Sequence, residues 1–197
     1  MKEYNAFTER PWLQYFFRTL MRLWGWKVKA DFPDIPQYVL IFAHHTSNWD
    51  FVIGLFAALS ISFWPQWIGK DSLFKPPFGG FMRWLGGVPV VRSSRSNFVD
   101  QVVEIYRQSN HFIIAIAPEG TRGKTDHWKT GFYHIAQGAN VPILMSYLNY
   151  RTKTAGIGPL LYPSGDLEKD LAVIREFYAG ISGKHPENQG EVQLRSS

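Results

Sequence analysis

From residue 37 onward, short apolar runs of strand length alternate with helical ones. Tyr38 to Ala43, Phe112 to Ala117 and Val141 to Tyr147 are apolar and rich in β-formers, and each predicts a strand. Gln66 to Gly69 and Val88 to Arg92 predict two shorter strands, and Gly158 to Tyr162 an additional one at the sheet edge. Between them, Phe51 to Ser60, Pro77 to Leu85 and Phe132 to Gln137 predict helices, the second closed by Gly86 and Gly87. Asn97 to Gln108 repeats apolar residues at Val99, Val102, Val103 and Tyr106, one face of a helix. Leu167 to Tyr178 predicts a last helix that starts from Asp166. Strands alternating with helices at this spacing predict an α/β fold: one domain, with a mostly parallel central sheet and helices on both faces.

The two ends read differently. In residues 1–30, Gln14, Arg18 and Arg22 recur at helical spacing as a narrow polar stripe, while Trp12, Leu13, Phe16, Phe17, Leu20, Met21, Leu23 and Trp24 cover most of the rest. Such a helix lies in a membrane interface with its arginines toward anionic head groups, or packs on the sheet as a core helix. The segment lacks the pattern of a signal peptide and is expected to stay in the mature protein. The longest apolar stretch, Phe51 to Trp64, is about 14 residues against the roughly 20 of a spanning helix, so attachment is expected to be peripheral, on the cytoplasmic face of a membrane. Residues 31–183 are then the domain, and 184–197 turn polar and are expected to be disordered.

Composition narrows this picture. The 197 residues include no cysteine, which excludes a disulfide framework, thiolate zinc sites and a cysteine nucleophile together. Aromatics reach 16%, a composition suited to a membrane interface. The net charge of +5 makes an acidic partner plausible, and the charge is local. Residues 1–29 carry six Lys or Arg against two acids, and residues 70–95 carry five against Asp71 alone.

In an α/β sheet, ligands bind beyond the carboxyl ends of the strands, and three motifs fall there. The first, HHTSNWD at 44–50, leads from a strand into a helix, so that Asp50 can fold back onto His45. A carboxylate on one imidazole nitrogen sets the tautomer and leaves the other nitrogen as a general base. A structural pair or a helix cap formed by Ser47 or Asn48 fits the same residues. The second, APEGTR at 117–122, follows an apolar strand with a sharp turn that carries Glu119, Gly120, Thr121 and Arg122; an Arg beside glycine-turn amides clamps a phosphate. The third, GGVPVVR at 86–92, ends a strand in Arg92, with Lys70 at a neighbouring strand end. Each alone reads equally as solvated surface.

Taken in order, HTSNWD, GKDSLFKPPFG, GGVPVVR, APEGTR and VPIL resemble the glycerolipid acyltransferase family, the lysophosphatidic acid acyltransferases and their relatives, over residues 37–147. The resemblance implies His45 as catalytic base and Asp50 as its orienting partner. It implies Arg92 and Arg122 on the acceptor phosphate, with Lys70, Glu119, Gly120 and Thr121 in the same pocket. It also implies transfer of a fatty acyl group from acyl-CoA or acyl carrier protein to the hydroxyl of a lysolipid such as 1-acylglycerol-3-phosphate. The partners are then membrane lipid and the thioester donor, with no nucleic acid, no metal and no cofactor beyond the co-substrate. The sequence departs from the family at His44, where Asn is common, at Val91 for Asp, and at Ala117 for an aromatic residue.

The residues are compatible with direct attack of the acceptor on the thioester, since no G-x-S-x-G elbow supplies a serine nucleophile. The aromatic run Phe51 to Trp67 and the block PPFGGFMRWLGG can line an acyl groove or fill the core. An acyltransferase for an aminolipid acceptor remains open. So does a metal-dependent phosphoesterase that uses His44, His45, Asp50 and His127 or His134, and so does a non-enzymatic lipid or nucleic-acid binding module.

Overall fold

The computed structural model describes residues 10–90 and 95–194. Seven strands form one sheet: β1 (Lys27–Lys29), β2 (Gln37–Phe42), β3 (Gln66–Lys70), β4 (Gly87–Val90), β5 (Phe112–Ile116), β6 (Ile143–Asn149) and β7 (Thr154–Leu161). Their order is β1-β7-β6-β2-β5-β3-β4, with β2 at the centre. Every pairing is parallel except the β6–β7 hairpin. Among the described residues six α-helices accompany them: α1 (Pro11–Leu23), α2 (Asn48–Ser60), α3 (Gly79–Trp84), α4 (Arg95–Gln108), α5 (Gly131–Ala139) and α6 (Leu167–Tyr178).

Side chains of successive strand residues point to opposite faces, and the core divides accordingly. Val39, Ile41 and Ala43 join Ile114, Ile143 and Met145 under α4, α5 and α6, in one large buried cluster with Val102, Phe132, Ile135, Leu171 and Ile174. Tyr178 locks α6 to the sheet, its hydroxyl donating to the Ser146 carbonyl at 2.9 Å. On the other face, Tyr38, Leu40, Ile113 and Leu144 make a smaller cluster, and Met21, Trp26, Ile53, Ala57, Leu148 and Ala155 join α1 and α2 to it. The mostly parallel α/β architecture expected from the strand–helix alternation is the observed one.

Three expectations change. Residues 27–29, assigned to the N-terminal helix, form β1, because Gly25 at φ +76° turns the chain after α1 and lays Lys27 beside Thr154. The last strand is longer than Gly158–Tyr162 and is not an edge: β1 covers it. Gly156, Gly158 and Pro159 hide it from a count of β-formers, although its first three residues are its most buried.

The third change concerns the C-terminal segment. Residues 184–194 were expected to be disordered, yet they cross back over the domain. Val192 is buried, its carbonyl accepts from Arg175 Nε at 2.8 Å, and the Gln193 carbonyl accepts the Trp128 N–H at 2.9 Å. Polar composition concealed this because the segment is held largely by hydrogen bonds, from its backbone and from the Gln189 and Gln193 side chains. Truncation after Gly183 removes those bonds and the buried valine, worth about 2 kcal/mol. At roughly 2–4 °C per kcal/mol, the melting temperature followed by circular dichroism should fall by about 4–8 °C. An unchanged melt would mean that the segment contributes nothing.

Candidate active site

The site forms where β2 gives way to α2. Ser47 caps the helix, its hydroxyl accepting the Trp49 N–H at 3.2 Å, and Asp50 in the first turn reciprocates in a capping box. The cap is only one task of this carboxylate. Asp50 Oδ2 accepts the N–H groups of Thr46 (2.7 Å) and Ser47 (2.8 Å) and faces His45 Nδ1 at 3.2 Å. Oδ1 accepts the hydroxyl of Tyr150 at 2.6 Å. Asp50 is 1% exposed. Burial would raise its pKa, but the hydrogen bonds from His45, Tyr150, Ser47 and Thr46 outweigh it and hold the carboxyl below its usual range.

An ionised carboxylate has only acceptors, so His45 Nδ1 is the donor of this pair, and in the neutral imidazole Nε2 then carries the lone pair. The His45 side chain is 24% exposed, and both His45 and Asp50 border a cavity of about 300 Å³. This cavity runs over the α1–α2 face of the sheet and is lined by apolar groups such as Leu40, Phe42, Leu55, Trp67 and Leu148. From the aromatic run, Phe51, Phe63, Trp64 and Trp67 reach it; of the PPFGGFMRWLGG block only Leu85 does.

The APEGTR turn supplies a second buried carboxylate. Glu119 Oε1 meets His44 Nδ1 at 3.1 Å, and Oε2 accepts the His45 N–H at 2.6 Å, with Glu119 and His44 both buried. Glu119 was expected to face substrate; both its oxygens are occupied by the chain itself, and it holds the His45 backbone from below. Gly120 at φ +65° is exposed, and a Cβ there would stand 2.5 Å from Lys129 Nζ, so the lysine stem lies across the turn. Thr121 is exposed, its Oγ1 accepting the Gly123 N–H. Arg122 is exposed and, like Lys129, has no ion-pair partner among the described residues. Lys70 is the last residue of β3, paired with Val90; Arg92 lies outside the described residues.

The C-terminal segment completes the frame. Gly183 lies so close to Thr46 and His44 that a Cβ would be 2.9 Å from Thr46 Oγ1, the same oxygen that accepts the His185 N–H. Lys184 Nζ stands 5.1 Å from the centre of the Trp49 ring. Gly190 abuts Thr125, so one strap touches the loops that carry both motifs. Sequence reasoning missed Tyr150, Lys129 and this strap. His127 pairs with Asp126 and His134 is exposed on α5; among the described residues no three His, Asp or Glu side chains group around a common point.

The Acyltransferase family model matches residues 29–149. The chain belongs to the acyltransferase family. This decides against a phosphoesterase or a bare binding module as its class. The crystal structure of the 1-acyl-sn-glycerophosphate (LPA) acyltransferase PlsC from Thermotoga maritima is similar in fold, with a TM-score of 0.56 at 20% identity, over 84% of this chain and 74% of that one. No curated protein matches the chain in sequence.

The lowered pKa of Asp50 gives its contribution to stability a definite sign. Folding is favoured by the ionised group above the unfolded carboxyl pKa of about 4, and the contribution fades as pH falls through the lower folded value. Asp50→Asn, which presents an amide to backbone donors, should therefore be less stable than wild type at neutral pH, by a margin that shrinks as the medium is acidified below about pH 4. Urea titrations of both proteins across pH measure it; a margin independent of pH would mean that Asp50 is not ionised in the folded acyltransferase.

Proposed function

We propose that this acyltransferase moves a fatty acyl group from a thioester, acyl-CoA or acyl carrier protein, to the hydroxyl of a lysolipid, most specifically 1-acylglycerol-3-phosphate or a related lysophospholipid. The observation that carries the reading is the His45 imidazole, held at Nδ1 by Asp50 at the border of an apolar cavity. An acyl chain fits that cavity because each buried CH₂ is worth about 0.8 kcal/mol. His45 Nε2 takes the proton of the acceptor hydroxyl as its oxygen attacks the thioester carbonyl. The tetrahedral intermediate collapses, the C–S bond breaks, and the imidazolium returns its proton to the departing thiolate. Asp50 holds the imidazole in the required tautomer and stabilises its transient charge. The apolar walls exclude water as a competing nucleophile. Arg122 and Lys129, cations without carboxylate partners among the described residues, support binding of an acceptor phosphate.

Incubation with a panel of lysophospholipids, an aminolipid, acyl-CoA and acyl carrier protein thioesters, read by mass spectrometry, tests the substrate class. His45→Ala should lower turnover by about 10²- to 10⁴-fold without unfolding the protein. Arg122→Ala should raise the acceptor KM and leave the thioester KM nearly unchanged. Full activity in His45→Ala would sink the base assignment, and acylation of the aminolipid alone would replace the acceptor.

Peripheral attachment to the cytoplasmic face of a membrane belongs to the same proposal. Leu13, Phe17, Leu20 and Met21 turn α1 toward the domain, with the Phe17 ring 4.9 Å from that of Phe56. Trp12 (63% exposed), Tyr15 (73%), Phe16 (54%) and Leu23 (79%) are left outward, beside the exposed Arg18 and Arg22. A second apolar side on a helix already packed suits an interface. No helix among the described residues is long and apolar enough to span a membrane. Trp12→Ser, Tyr15→Ser and Phe16→Ser together should abolish flotation with anionic vesicles while the melting temperature stays near wild type. Wild-type protein that never floats would remove this part.

A further inference from the structure

We propose that Tyr150 is a positioning residue for the catalytic base, acting through Asp50; this rests on the reading of His45 as base. Tyr150 follows β6, one residue beyond the segment that the family model matches. Its hydroxyl is the one side-chain donor to Asp50 Oδ1 among the described residues, at 2.6 Å, whereas Oδ2 serves His45 and two backbone N–H groups. With both oxygens tethered, the carboxylate cannot rotate away from Nδ1, and the imidazole keeps one orientation toward the cavity. Burial and the hydrogen bond donated to Asp50 push the phenol pKa above its usual value, so the hydroxyl is a donor at neutral pH.

The ring that carries this hydroxyl is itself held. Trp26 meets it edge to face, with centroids 5.1 Å apart and planes at 88°, and the Tyr150 N–H donates to the Ser182 carbonyl at 2.8 Å. Trp26 is buried, and its own N–H donates to the Met21 carbonyl in the last turns of α1. Asp50 is thus anchored from the α1–β1 junction on one side and from the C-terminal strap on the other, two elements outside the matched family segment.

Tyr150→Phe is the test, because it removes the hydroxyl and keeps the ring against Trp26. Two readouts separate this inference from the substrate reading. The first is the NMR resonance of the His45 Nδ1 proton, identified by its loss in His45→Ala, which needs no substrate; Tyr150→Phe should shift or broaden it. The second is steady-state turnover of 1-acylglycerol-3-phosphate with acyl-CoA. Here kcat should fall about tenfold, the loss of one hydrogen bond to a charged group, with acceptor KM within about twofold. On an Asp50→Asn background the same substitution should change kcat less than about twofold, since its route to His45 is already cut. An unmoved resonance with unchanged kcat overturns the inference. So does an equal loss on both backgrounds, which would mark a merely structural role. A shifted resonance in protein that does not turn over this substrate pair supports the positioning role and overturns the substrate reading instead.

Discussion

The geometry of the site depends on satisfying one buried negative charge. A carboxylate taken out of water costs several kcal/mol unless donors replace its hydration, and Asp50 finds four of them. Two are backbone N–H groups of its own loop, which fixes the loop and starts α2 in one direction. The third is the imidazole of His45, whose tautomer is thereby decided. The fourth comes from a tyrosine 100 residues further on, so the end of β6 is drawn into the same arrangement.

Glu119 repeats the device one strand over. β2 lies between β5 and β6 in the sheet, and each neighbour sends one polar side chain to the HHTSNWD loop: Glu119 from beyond β5, Tyr150 from beyond β6. Both reach it from strand ends, where parallel register brings the carboxyl termini level. His44, which stands where the family commonly has asparagine, fits this frame as a partner of Glu119 rather than as a second base.

The two faces of the sheet serve different ends. Three helices and the rings of Trp128, Tyr133 and Tyr178 fill the α4–α6 side, whereas among the described residues the other side is covered by α1, α2 and the loops before β2 and after α2. The cavity lies on that thinner side, reached by residues of the opposite parity along the strands, such as Leu40 and Phe42. Helix α1 thus closes one wall of the domain while presenting a second apolar side outward, a double duty that a single polar stripe makes available.

Local patterns determined much of this molecule. The strand–helix alternation carried the α/β class, because periodicity reflects which face a residue buries, and the five-residue interval from His45 to Asp50 carried their pairing, because a helix start folds that interval back on itself. What depends on distant partners could not be read from the sequence alone. Glu119 was placed among the substrate ligands since nothing in APEGTR shows that both its oxygens turn inward to His44 and His45. Tyr150 follows no motif, and residues 184–194 are polar, so neither composition nor period marks them. Their positions come from strand order and from long-range hydrogen bonds of both backbone and side chains, which are satisfied only once β2, β5 and β6 lie side by side; tertiary structure alone decided which donors would meet the buried charge.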